Sequence, residues 1–119
     1  MSALQAVEAV IDQYFRGLHE CNVELIQQVF LPNAEIFGYY EGDLVNITLH
    51  EYINILKRMS SPVMLGEEYD MKITTLDVTG TIAMVKTRYL FEALHYVDYL
   101  CLLLINGEWK IVTKTFHHD

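Results

Sequence analysis

Apolar residues near the start of the chain fall at Leu4, Val7, Val10, Ile11, Tyr14, Phe15 and Leu18. These three- and four-residue steps place them on one face of a helix over about residues 3–20. His19-Glu20-Cys21-Asn22 interrupts the period. Asn22 suits the cap of a second helix, with Glu24 near its positive end. Val23, Ile26, Val29 and Phe30 form the buried stripe of that helix, and Pro32-Asn33 ends it. Ala34 to Tyr40 then reads as a strand, Glu41-Gly42-Asp43 as a turn, and Leu44 to Ile47 as a short returning strand. Thr48 followed by Glu51 is a capping box that opens a third helix, whose inner stripe is Leu49, Tyr52, Ile53, Leu56 and Met59. Ser60-Ser61-Pro62 stops it, and the stretch to Glu68 reads as a loop.

The rest of the chain has the period of strands. Tyr69 to Val78 alternates, Thr79-Gly80 turns, Thr81 to about Glu92 returns, and His95 to Ile105 follows. Asn106-Gly107 marks a tight hairpin because both residues tolerate positive φ, and Glu108 to His117 closes the sheet. Three helices ahead of a four-strand meander predict an α+β fold, a single domain over residues 1–119, with the helices packed on one face of the sheet.

Composition narrows the functional classes. The chain has 119 residues, of which 52% are hydrophobic and only 20% charged. That is apolar for a domain of this size and points to apolar surface around a cavity or between subunits. Eight basic residues stand against sixteen acidic ones, a formal net charge of −8. Nucleic acid and anionic membrane surfaces are therefore not expected partners, since both need clustered Lys and Arg. The two cysteines, Cys21 and Cys101, show no paired spacing, which fits a reducing, cytoplasmic setting. The N-terminus lacks the basic start and apolar run of a signal peptide. The apolar run Tyr99 to Ile105 is too short to cross a bilayer as a helix.

The last hairpin carries the candidate chemistry. Counting outward from Asn106-Gly107 with strict pairing, one face holds Leu104 with Trp109, Leu102 with Ile111, Leu100 with Thr113, Asp98 with Thr115 and Tyr96 with His117. An apolar floor ending in an acid, a phenol, a hydroxyl and an imidazole is the pattern of a ligand pocket. Asp98 and His117 become diagonal neighbours, roughly 5.5–8 Å apart at the backbone. A carboxylate there would orient the imidazole and raise its basicity, making a general base. The pairing depends on register, because a slip of one residue sends His117 to the other face. That other face holds Leu103 with Lys110, Cys101 with Val112, Tyr99 with Lys114 and Val97 with Phe116. Being largely apolar as well, it predicts a homodimer through the sheet.

Among the remaining groups, Tyr14, Tyr39 and Tyr52 are the phenols most in need of a partner if buried. With Tyr96, Leu100 and Thr115 they make up the expected ligand-binding set. His117-His118-Asp119 resembles a metal tail, but adjacent strand residues point to opposite faces, so no metal site is assigned. His19, His50 and His95 sit at element ends and read as surface residues. No nucleophile elbow, phosphate-binding loop or dinucleotide fingerprint occurs, and no cofactor is implied.

Several segments together resemble the nuclear transport factor two-like superfamily, and within it the bacterial putative lumazine-binding group. They are Tyr14-Phe15-x-Gly17-Leu18, Phe30-x-Pro32-x-Ala34, Phe37-Gly38-Tyr39, Asp77-Val78-Thr79-Gly80, and the long block from Asp98 to Phe116 built around Gly107, Trp109 and Ile111. The resemblance implies a cone-shaped barrel: a strongly curved, mostly antiparallel sheet with the helices on its concave face, a pocket between them, and a dimer through the outer face. Members similar to the steroid isomerases and polyketide cyclases place a catalytic carboxylate on the first strand. Here that position falls in Phe37-Gly38-Tyr39, flanked by Glu35, Glu41 and Asp43. Asp98 and His117 are the replacements to expect if the protein is an enzyme. The leading expectation is a pocket for a small apolar or aromatic molecule. The alternatives are a proton-transfer enzyme of isomerase or dehydratase type using Asp98 and His117, and a non-catalytic dimerisation module.

Overall fold

The computed structural model describes every residue from Met1 to Asp119. Helix α1 spans Ala3–Glu20 and opens with a capping box between Ser2 and Gln5. It closes at Cys21, which takes a left-handed conformation (φ 48°) and donates its N–H to the Gly17 and Leu18 carbonyls. Asn22 caps α2 (Val23–Val29) by accepting from the Leu25 N–H. Thr48 and Glu51 cap α3 (Leu49–Arg58) reciprocally, and Lys57 and Arg58 sit at its negative end. The strands are β1 (Phe30–Tyr40), β2 (Asp43–Thr48), β3 (Met71–Thr79), β4 (Ile82–Phe91), β5 (Leu94–Ile105) and β6 (Glu108–His118).

All six strands form one sheet in the order β2-β1-β6-β5-β4-β3. Neighbours pair antiparallel except β1 with β6, which run parallel. The sheet is curved but does not close into a barrel, so β2 and β3 remain edges. β1 starts at Phe30, inside the stretch that periodicity gives to the second helix, because Phe30 pairs with Ile111 of β6. That long-range pairing overrides local helical preference. It also explains how Pro32 can lie inside a strand: the β1–β6 register is broken between Phe30 and Glu35, and a proline without an N–H fits such a break.

The three helices cover the inner face. Val7, Ile11, Phe15 and Leu18 of α1, Ile26 and Val29 of α2, and Ile53 and Leu56 of α3 form one core with Val85, Leu100, Leu102, Trp109 and Ile111 of the sheet. Each such aliphatic side chain, once buried, stabilises the fold by about 1.5–3 kcal/mol. Gly38 is fixed by crowding: a Cβ there would lie 2.5 Å from both the ring and the carbonyl oxygen of Phe116. The outer face keeps exposed apolar side chains in adjacent rows, with Ile82 opposite Leu103 and Met84 opposite Cys101. Tyr99 lies next to them under the Lys86 ammonium, 5.5 Å from ring centre to Nζ.

The β5–β6 hairpin decides the site. Asn106 and Gly107 have φ of 51° and 81° and make the expected tight turn. From Ile105–Glu108 to Leu102–Ile111 the pairs follow strict counting. Then Val112 bulges: Cys101 pairs with Thr113, Leu100 with Lys114, Asp98 with Phe116, and Val97 with His117. The bulge falls at the same level as the β1–β6 break, between Ile111 and Thr113. One extra residue transposes the faces of everything beyond it. The expected pairing of Asp98 with His117 is thereby corrected: His117 and Thr115 are exposed on the outer face, and Lys114 turns inward.

Candidate functional site

Only four buried residues are polar or charged: Ser61, Thr87, Asp98 and Lys114. Asp98 is fully enclosed and Lys114 is 3% exposed. A carboxylate and an ammonium tolerate such burial only with hydrogen bonds and opposite charge nearby. Tyrosines from three other elements provide the bonds. Tyr14 of α1 donates to Asp98 Oδ2 at 2.5 Å, and Tyr89 of β4 donates to Asp98 Oδ1 at 3.0 Å. The two phenol oxygens are 3.5 Å apart, too far to compete with those bonds. Lys114 Nζ donates to the Tyr89 oxygen at 3.2 Å and to the Tyr52 oxygen of α3 at 2.9 Å. It also lies 4.6–5.8 Å from the ring centres of Tyr14, Tyr52, Tyr89 and Phe116, within reach of cation–π attraction.

Donor accounting shows what remains free. An ammonium has three N–H donors, and the protein takes two of those of Lys114. The Tyr52 hydroxyl accepts from Lys114 but finds no protein acceptor for its own proton. One N–H and one O–H are thus left side by side, while the Tyr89 hydroxyl, at the same wall, is committed to Asp98 behind it.

Those two donors stand at a cavity of about 370 Å³ between α3 and the sheet. Leu18, Ile36, Val45, Ile47, Ile55, Leu56 and Met59 make its aliphatic walls, and Tyr40, Phe91, Tyr96 and Phe116 its aromatic ones. Lys114 is the one charged residue among the fourteen that line it. Tyr96 stacks on Tyr89, with ring centres 5.4 Å apart and planes 11° off parallel, and extends a flat aromatic wall outward. A depression of comparable volume, about 400 Å³, lies over the outside of α3 at Glu51, Asn54, Lys57 and Arg58. Its charged side chains are exposed and no buried donor points into it, so the apolar cavity between α3 and the sheet is the candidate site.

Two of the expected ligand-binding residues, Tyr52 and Tyr96, line this cavity. Tyr14 and Leu100 are fully buried behind its wall, Tyr14 as a partner of Asp98. Tyr39 is 58% exposed on the outer face, where Thr115 and His117 also lie. Glu35, Glu41 and Asp43 are exposed. Lys114 and Phe116 are the site residues that strict hairpin counting sends to the other face, and Tyr89 of β4, outside the hairpin, is missed as well. His118 faces the inner side instead, 5.3 Å from the Tyr40 ring, and accepts from the Glu41 N–H. No three His, Cys, Asp or Glu side chains converge as a metal site.

Burial, followed by the adjoining Asp98 charge, pushes the Tyr14 and Tyr89 phenols well above their ordinary range. Burial also raises Tyr52, against the pull of Lys114. For Lys114, burial alone lowers the ammonium, but Asp98 and Tyr52 outweigh it and the net shift is upward. The cluster therefore holds neutral phenols and a cation at neutral pH. Raised folded values mean stability that is complete below the unfolded pKa, near 10 for these groups, and lost as pH climbs through the folded values. In an alkaline titration followed at 295 nm, Tyr14, Tyr52 and Tyr89 are expected to ionise only together with loss of the near-ultraviolet dichroism. Ionisation of all eight tyrosines while the fold persists would contradict this.

Over residues 2–117 the sequence matches the family described as “Putative lumazine-binding”. The chain belongs to this family. Similar solved structures include an NTF2-like protein of unknown function from Silicibacter pomeroyi, 21% identical, with a TM-score of 0.84 and all of both chains covered. Another, from Shewanella baltica, is 21% identical with a TM-score of 0.85, covering 100% of this chain and 98% of the other. At this identity the likeness is one of fold, and it bears out the nuclear transport factor two-like architecture. Among curated proteins, the aldolase FrzH of a Cladobotryum species is 27% identical over 118 residues, covering 98% of this chain and 91% of FrzH. No helix of the chain is long and apolar enough to cross a membrane.

Proposed function

We propose that this protein binds a small, largely apolar or aromatic molecule in the cavity between α3 and the sheet, holding one oxygen of that molecule with Lys114 Nζ and the Tyr52 hydroxyl. The observation that carries the reading is the buried ammonium at one end of an otherwise uncharged cavity, with a donor left unused. The volume falls in the range of small-molecule sites, roughly 300–1,000 Å³. Two unpaired donors in a low-dielectric setting favour a carbonyl, enolate or carboxylate oxygen strongly, because a ligand lacking one leaves them unsatisfied.

The family's description and the name of the FrzH relative support this reading: a lumazine is a flat heteroaromatic dione, and an aldolase handles carbonyl compounds. General-base catalysis by Asp98 with His117 is not supported, since the two lie on opposite sides of the sheet. Flat carbonyl-bearing aromatics, lumazine first, are expected to raise the unfolding temperature. At one hundred times Kd the gain is about 2.7 kcal/mol. No shift from any such compound at millimolar concentration would remove the reading.

The outer face supports a second proposal, a homodimer. Ile82, Met84, Tyr99 and Leu103 stay exposed there on neighbouring strands, and a second copy would cover them about a two-fold axis. Sedimentation at micromolar concentration is expected to give twice the mass of 13.8 kDa, with Tyr99→Asp shifting it to the single mass. A wild-type monomer would contradict the pairing.

A further inference from the structure

We propose that Lys114 is a covalent catalyst: its Nζ condenses with an aldehyde or ketone held in the cavity to give a protonated Schiff base. This rests on the binding reading above and goes one step beyond it, from an oxygen held by hydrogen bonds to a carbon held by a bond.

Lys114 is the only residue lining the cavity with a nucleophilic nitrogen, and no carboxylate lines it. A carbonyl oxygen placed against the free Tyr52 proton would bring its carbon beside Nζ, which is 2.9 Å from the same phenol oxygen. Tyr52 thus serves as the acid that polarises the carbonyl. An ammonium must lose a proton before it can attack, and a route exists for it. Nζ donates to the Tyr89 oxygen, and the Tyr89 hydroxyl donates to Asp98 Oδ1. That chain can pass one proton from Nζ to the buried carboxylate. The neutral amine then forms the C–N bond as the carbonyl oxygen takes the Tyr52 proton, giving a carbinolamine. The C–O bond breaks as that oxygen leaves in a water molecule. This oxygen keeps the proton it took from Tyr52, which the amine nitrogen re-protonates, and its second proton returns from Asp98 through the Tyr89 hydroxyl. The sum is Lys-NH₃⁺ plus R₂C=O giving Lys-NH⁺=CR₂ plus water, with no oxidation or reduction.

The electrostatics favour this product. The iminium carries the same unit charge in the same place as the ammonium. The Asp98 carboxylate and the aromatic faces around Nζ therefore stabilise both, and condensation does not leave an uncompensated charge. Apolar walls also limit the water that would hydrolyse the iminium. Asp98 acts here as a proton-holding residue behind the cavity wall, and Tyr89, which lines the cavity, relays the proton between it and Nζ.

The test is reductive trapping. The protein is incubated with benzaldehyde and sodium cyanoborohydride, then read by intact mass and peptide mapping, with binding followed separately by thermal shift using benzaldehyde without reductant. The expected result is a dominant single benzyl adduct at Lys114, ahead of Lys57, Lys72, Lys86 and Lys110. Tyr52→Phe should bind benzaldehyde more weakly and, at saturating benzaldehyde, trap it roughly 100-fold more slowly, the loss of a general acid. Lys114→Arg should lose that adduct, and the wild-type map decides alone if this variant does not fold. Benzaldehyde binding with adducts spread over the other four lysines would overturn the covalent role and leave the binding reading standing. Neither a thermal shift nor a Lys114 adduct would overturn both.

Discussion

Asp98→Ala is expected to lower the free energy of unfolding by about 3–5 kcal/mol, the cost of stripping one member from a buried charged arrangement. The carboxylate accepts from Tyr14 and Tyr89 and is the negative charge that offsets Lys114. Its removal leaves two buried phenol protons without that acceptor and a buried ammonium without a counter-charge. Since a domain of this size commonly has ~5–15 kcal/mol in total, the loss is a large share of the whole. Chemical denaturation of Asp98→Leu, Lys114→Met and the two combined isolates the coupling between the charges. The double variant should lose less than the two singles added together, by about 0.5–3 kcal/mol, because it leaves no buried charge alone. Strict additivity would mean that Asp98 and Lys114 do not act on one another.

How far the sequence reveals this cluster depends on the range of the interactions involved. The helix over Ala3–Glu20, the Thr48–Glu51 cap and the Asn106-Gly107 turn match the expectations because each is set by residues a few positions apart. Phe30 is different: local period places it on a helix, and its pairing with Ile111 is invisible without knowing that β1 lies beside β6. The bulge at Val112 is harder still. Ile111, Thr113 and Thr115 alternate acceptably with Val112, Lys114 and Phe116, so strict pairing looks sound on either face. By default a lysine goes to the solvent side of such a strand, and that default hides Lys114. The legible signal is in the phenols. Tyr14, Tyr52 and Tyr89 come from α1, α3 and β4, and each demands a buried partner. The sequence places Asp98 at the polar end of the pocket but gives it His117 rather than the phenols as partner, and the cation they share stays hidden. Pro32 is a second hint, since it marks the level at which the neighbouring β1–β6 register breaks.

The placement of Lys114 rather than His117 at the polar end of the cavity has the largest consequence for binding. A hydrogen bond from a buried charged donor is worth about 1.5–3 kcal/mol, so losing it weakens affinity by roughly 10- to 150-fold. Truncating an exposed imidazole on the opposite face should leave affinity unchanged. Titration calorimetry of a flat carbonyl-bearing ligand such as lumazine, run on the wild type, Lys114→Met and His117→Ala, reads both effects directly. The expected outcome is a sharp loss for Lys114→Met and wild-type affinity for His117→Ala. Weakened binding in His117→Ala together with undiminished binding in Lys114→Met would contradict the inward turn of Lys114 and the site built on it.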